Sequence, residues 1–178
     1  MKRFLYCSAL FLLCGGCSLL PRAEYTEPAF HDLNVLEEKS AVPFQLVLNS
    51  FSDLTGNGTR MVTRDSRGVL SFDESNRFSA PPVQLIKRRL ASFFPPVQQK
   101  KVTALSAELL RFEFLESRQS VRMVMDCRLR FQGGEKFFRH DTEEKVQGTE
   151  AADIARAFEK CILSLARRLP KEIKGDKK

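Results

Sequence analysis

The sequence predicts an α+β fold: a largely antiparallel sheet with two helices packed on one face. Three observations carry that prediction. Runs of strand length alternate apolar and polar residues, most clearly in Val121-x-Met123-x-Met125-x-Cys127-x-Leu129-x-Phe131. Two segments switch to helical spacing, one near residue 83 and one near residue 154. Gly-, Pro- and Asp-containing stretches separate these runs at the places where a chain must turn.

In order along the chain, Tyr25 to Leu33 reads as a first strand, followed by the polar stretch Asn34 to Ser40. Phe44 to Phe51 is a mostly apolar run, stopped by Asp53-Leu54-Thr55-Gly56-Asn57-Gly58. Thr59 to Arg64 and Gly68 to Asp73 form strands around the turn Asp65-Ser66-Arg67-Gly68. Asn76 to Pro82 then leads into a helix whose prolines suit its first turn. Val83, Ile86, Leu90 and Phe93 form the apolar stripe of that helix, Gln84, Lys87 and Arg88 its polar side, and Pro95-Pro96 its stop.

Three strands follow. In residues 102–115, Leu110, Phe112 and Phe114 alternate with Arg111 and Glu113. The Val121 to Phe131 strand comes next, and Gln132-Gly133-Gly134-Glu135 turns the chain back as a hairpin. Lys136 to Val146 is heavily charged, which suits an edge strand guarded against mispairing. Thr149 is placed to cap a final helix with the stripe Ile154, Phe158, Cys161, Ile162, Leu165 and Leu169, ended by Pro170.

The 178 residues carry 29 Lys and Arg against 22 Asp and Glu, a net charge of +7. A nucleic-acid binder needs that excess clustered along one face, where phosphate contacts release counterions. Here it lies at the ends. Lys2 and Arg3 supply +2, the residues from Arg167 onward supply +4, and the stretch between is nearly neutral. No nucleic-acid partner is expected.

Met1-Lys2-Arg3 followed by the apolar run Phe4 to Leu13 has the form of an export signal; the run is too short to span a bilayer, which takes about 20 residues. It ends in Cys14-Gly15-Gly16-Cys17-Ser18. Small residues immediately before a cysteine resemble a bacterial lipobox, so Cys17 is the expected lipid-attachment residue, carrying palmitate-type acyl chains. Cys14 stands where a lipobox usually has Leu, and Ser18 follows the anchor where Asp would hold the protein at the inner membrane. The expected organisation is a lipoprotein signal peptide at 1–16, an anchored segment and linker at 17–42, the α+β domain at 43–170 and a basic tail at 171–178. Cleavage at Cys17 leaves Cys127 and Cys161, both predicted to point inward. In an oxidising compartment a disulfide between them is open, with two buried thiols the favoured alternative.

The search for chemistry returns little. His31 and His140 are the only histidines, and strand alternation puts His140 and Asp141 on opposite faces, so His140 is expected on a charged, solvent-facing edge rather than at a metal. Gly56-Asn57-Gly58 precedes a strand, where a phosphate cradle would precede a helix. No nucleophile elbow is present. No enzyme activity, metal or cofactor is expected.

Arg60-Met61-Val62-x-Arg64, then Phe72, then Asn76-Arg77-Phe78-x-Ala80-Pro81-Pro82 before an amphipathic helix, resembles the ABC-type transport auxiliary lipoproteins, the group that includes paraquat-inducible protein C. Thr63 replaces the family's Tyr and Phe78 its Trp. The resemblance implies a non-enzymatic lipoprotein on the periplasmic face of the outer membrane. It would act as an auxiliary component of an inner-membrane ABC transporter and its MCE-type protein in lipid transport between membranes. Arg64, Arg77 and Phe78 are the candidate partner surface, with the membrane reached through Cys17 and a homo-oligomer as a further candidate assembly. The alternative is a pilot or assembly lipoprotein for an outer-membrane machine.

Overall fold

The structure, a computed structural model, describes residues 26–33, 44–96 and 102–174. Among the described residues there are seven strands: β1 (Ala29–His31), β2 (Gln45–Asp53), β3 (Arg60–Arg64), β4 (Leu70–Phe78), β5 (Val102–Leu115), β6 (Ser120–Phe131) and β7 (Gly134–Lys145). Two helices accompany them, α1 (Pro82–Phe93) and α2 (Ala151–Lys174). They form one mixed α+β unit with a mostly antiparallel sheet.

The sheet order is β1-β4-β3-β5-β6-β7, with β2 also paired to β5. At 14 residues, β5 is long enough to hold two strands on one edge. There β2 runs parallel to Val102–Leu109 and β3 parallel to Phe114–Leu115. β6 covers the opposite edge in an antiparallel ladder. Parallel neighbours need a crossover, and α1, lying between β4 and β5 in the chain, is part of it. The β6–β7 hairpin closes on the two residues Gln132 and Gly133, with Gly133 at φ 107° where a side chain would be strained.

The β5 stripe differs from the predicted one. A register shift between Leu109 and Arg111 changes which parity faces the helices. Leu105, Ala107 and Leu109 are buried before it and Phe112 after it, while Leu110 sits half-buried at the shift.

Phe78 from β4, Phe112 from β5 and Phe158 from α2 meet at the centre of the core. Phe112 and Phe158 stack at 3.7 Å, and both meet Phe78 edge-on at 5.4 and 5.8 Å. On the same side, α1 packs against β2 and α2 while α2 packs against β6 and β7. Between the helices, Arg89 donates to Glu159 at 2.7 Å, both residues buried. Burial pushes the Glu159 carboxyl above its usual range and the Arg89 guanidinium opposes that shift.

Three predicted boundaries change. Leu33 is buried and β1 pairs with β4, so part of the expected 17–42 linker belongs to the domain. Asn76 to Phe78 complete β4, where a helix lead-in was expected. α2 runs through Pro170 to Lys174. Proline removes one helical hydrogen bond, but Glu172 in the next turn is held by Arg168 at 2.7 Å and Lys136 at 3.1 Å, and Ile173 packs on the core. At the start of α2, Asp153 accepts from the Glu150 N–H at 3.1 Å and supplies the cap expected of Thr149.

Candidate interaction surface

One face of the sheet carries the helices, and among the described residues no helix covers the other. Its first limb is β1–β4–β3. Strand register puts Phe30 level with Arg77, Arg77 level with Arg60, Val62 level with Phe72, and Arg64 level with Leu70. Phe78, next in sequence to Arg77, points to the opposite face and into the core, so these neighbours all lie on the open side. Phe30 is 61% exposed, and Val69, Leu70 and Phe72 are exposed with it.

Arginines frame these apolar residues. The Arg60 guanidinium lies 4.0 Å from the centre of the Phe72 ring, and its Nε donates to the Asn57 carbonyl. Arg64 donates to the Glu113 carboxylate and the Gly68 carbonyl, each at 2.8 Å. Glu113 holds the Arg64 guanidinium above its usual pKa. Arg77 is half-buried, and its Nε finds no hydrogen-bond partner. The hairpin tip is rigid: Asp65 accepts from the N–H groups of Arg67 and Val69, which lowers the pKa of its carboxyl, and Gly68 takes φ 86°.

The second limb, β5–β6–β7, has paired charges across its open face. Arg122 forks onto Asp141 at 2.9 and 2.7 Å, and Arg139 onto Asp126 at 2.7 and 2.8 Å. Glu135 takes both Arg128 and Arg130, and Glu143 takes the Ser120 hydroxyl and Arg118. Hydrogen bonds from arginine hold the carboxyls of Asp126, Glu135 and Asp141 below their usual range; for Glu143 the Ser120 hydroxyl contributes first and Arg118 second.

The sequence-predicted site residues separate. Arg64 and Arg77 share the first limb, but Phe78 does not join them. It is 1% exposed and packs in the core, because strand alternation turns it away from Arg77. The surface therefore contains Phe30, Arg60, Leu70 and Phe72, which sequence reasoning did not select. Leu70 and Phe72 alternate with Ser71 and Asp73, but alternation alone cannot tell an outward apolar face from an inward one.

Reactive groups lie elsewhere. Cys127 and Cys161 are buried free thiols whose pKa values burial pushes up to about 12, so neither offers a thiolate. His140 is not solvent-facing as expected: β7 turns it inward against α2, where burial and the nearby Arg168 guanidinium lower its pKa while the Cys161 main chain opposes that shift. His31 lies away from it, bonded to Asn76 at 2.9 Å. Among the described residues no group of three or more His, Cys, Asp or Glu is placed to hold a metal ion. Cys17 and the signal-like segment lie outside the described residues.

Solved structures share this architecture. The crystal structure of an uncharacterized protein superposes with a TM-score of 0.68 over 83% of this chain and 99% of that one, at 13% identity. Protein XCC0632 from Xanthomonas campestris, of the DUF330 family, gives 0.64 over 83% of this chain and 98% of its own, at 15% identity. What they share with this chain is the fold.

No family model and no curated protein matches the sequence. The resemblance to the paraquat-inducible protein C group is corrected accordingly: its structural neighbours are the uncharacterized and DUF330 proteins. Its motif residues are also explained by folding, since Phe78 ends β4 inside the core and Pro82 opens α1.

Proposed function

We propose that the protein is a non-enzymatic auxiliary lipoprotein of a bacterial envelope, anchored through Cys17 on the periplasmic face of the outer membrane, docking to an intermembrane lipid-transport assembly. The observation that carries this reading is the exposed aromatic and arginine surface of the first limb. Exposed apolar residues gathered on one surface, with arginine among them, have the composition of a protein-binding patch. Only 12 residues lie between Cys17 and Phe30, a reach of roughly 45 Å fully extended. Among the described residues no helix is long and apolar enough to cross a membrane, so membrane attachment in this reading rests on the lipid.

An inner-membrane ABC transporter with an MCE-type protein is the first partner class to test, because a domain held at the outer membrane and facing the periplasm stands between the two membranes such systems join. The test is gentle solubilisation of envelopes carrying the tagged full chain, followed by identification of what co-purifies. Transporter and MCE-type components are expected, with recovery lost on Phe30→Ser with Phe72→Ser. Secretin or β-barrel subunits in their place would move the protein to a pilot role. Unchanged membrane fractionation of Cys17→Ser would remove the anchor from the proposal.

A further inference from the structure

At the end of the sheet far from β1, β7 pairs with β6 along Gly134–Lys145, and among the described residues no strand takes its other edge. A groove of about 540 Å³ lies between this strand and α2. Glu144 is its lining residue from β7. From α2 come Lys160, Ser164, Arg167 and Lys171, whose spacing of four, three and four puts them on one side of the helix, with Leu163 and Arg168 beside them. The lining thus holds four basic groups and one acid, and of the four Arg168 is already paired with Glu172 at 2.7 Å. Arg168 already reaches across from α2 and donates to the Arg139 main-chain carbonyl at 2.9 Å, while its guanidinium lies 4.8 Å from the Phe138 ring. The Arg139 carbonyl on this side of β7 is therefore within reach of a donor in the groove.

We infer that this groove receives an acidic, extended segment of a partner protein, which adds as a further strand along β7 while its carboxylates meet the basic side of α2. A strand edge offers main-chain N–H and C=O groups at a repeat that only another extended chain matches. The helix opposite supplies sequence preference through charge, and the mixed charges of β7 itself (Lys136, Arg139, Asp141, Glu143, Lys145) discourage indiscriminate pairing. A lipid headgroup layer could use the charge but not the strand edge, which favours a polypeptide. The inference does not depend on Cys17 or on the first limb.

The test is fluorescence anisotropy of the full chain with a labelled peptide alternating Glu and Val, a Lys-and-Val counterpart, and a version of the acidic peptide N-methylated at alternate residues. The acidic peptide is expected to saturate, the basic one to stay free, and methylation to weaken binding at least tenfold by blocking one edge's donors. Lys160→Glu with Lys171→Glu, both exposed positions, is expected to weaken it tenfold or more with the circular dichroism spectrum unchanged. Equal binding of the methylated peptide would overturn strand addition. Absence of peptide binding would overturn the inference, and so would binding only to phosphatidylglycerol vesicles that those substitutions abolish.

Discussion

The two limbs of the open sheet face are built from similar residues and used differently. On β5–β6–β7 the carboxylates of Asp126, Glu135, Asp141 and Glu143 are matched with arginines at 2.7 to 3.1 Å. On β1–β4–β3 Arg60 lies over the Phe72 ring, Arg64 is paired with Glu113 of the neighbouring strand, and Phe30, Leu70 and Phe72 face solvent. A surface whose charges already satisfy one another gains little from a new partner. One that leaves aromatic area in water gains the free energy of burying it, about 25 cal/mol per Å². The unsatisfied limb is thus the better place to look for recognition. Phe137, 68% exposed on β7 with Arg128 at 5.3 Å, is the exception within the paired limb.

Both limbs lean on one core, and the largest effect is expected there. Phe112→Ala removes the ring stacked on Phe158, and should cost about 3–5 kcal/mol in urea unfolding. A loss under about 1 kcal/mol would mean that the limbs are held independently of this aromatic centre.

Acid should next distinguish them. Carboxyls held below their usual range stabilise the fold above the unfolded pKa of about 4, and that contribution is lost as pH falls through the folded values. Asp126, Asp141 and Glu143 act in this sense. Glu159 acts in the opposite one: its raised pKa gives a contribution fully present below the unfolded value and lost as pH rises through the folded one. The melting temperature should therefore drop between about pH 5 and pH 3. Asp126→Asn with Asp141→Asn should flatten that drop, and an unchanged slope would place the acid sensitivity outside the paired limb.

A double-mutant cycle on Arg122 and Asp141 should return a coupling of about 0.2–1 kcal/mol, the range for partly exposed pairs, shrinking with salt. The smallest stability effect belongs to the first limb. Phe30→Ser with Phe72→Ser should shift unfolding by no more than about 0.5 kcal/mol per site while removing partner recovery. A large destabilisation there would show that the rings serve the fold.

Legibility in the sequence follows the locality of the interactions. The β6–β7 hairpin and the α2 stripe were predicted nearly residue for residue, because period and turn chemistry lie within short windows. β4 was cut short because Asp73-Glu74-Ser75-Asn76 has the composition of a turn; indeed Asp73 accepts from the main-chain N–H groups of Ser75 and Asn76 within the strand. The buried Arg89 could not be recognised within its helix, since its partner Glu159 lies 70 residues away. Of the three residues expected on a partner surface, Arg64 and Arg77 lie on the same open face and Phe78 does not, because choosing a face requires knowing which strands neighbour it. The family resemblance rested on residues such as Phe78 and Pro82 whose roles are structural, and such residues recur wherever a strand hands over to a helix.

The parallel ladder from β3 to β5 contains only Thr63 with Phe114 and Arg64 with Leu115. Phe78 acts as the rivet beside this short seam, and Arg64 reaches across it to Glu113. β1, β3 and β4 are therefore joined to the body by few main-chain bonds and chiefly by buried side chains, Phe78 and Met61 among them. Their amides should exchange with solvent as a group, ahead of those in β5 and β6. The surface most available to a partner is thus held to the body mainly through side chains on its opposite face.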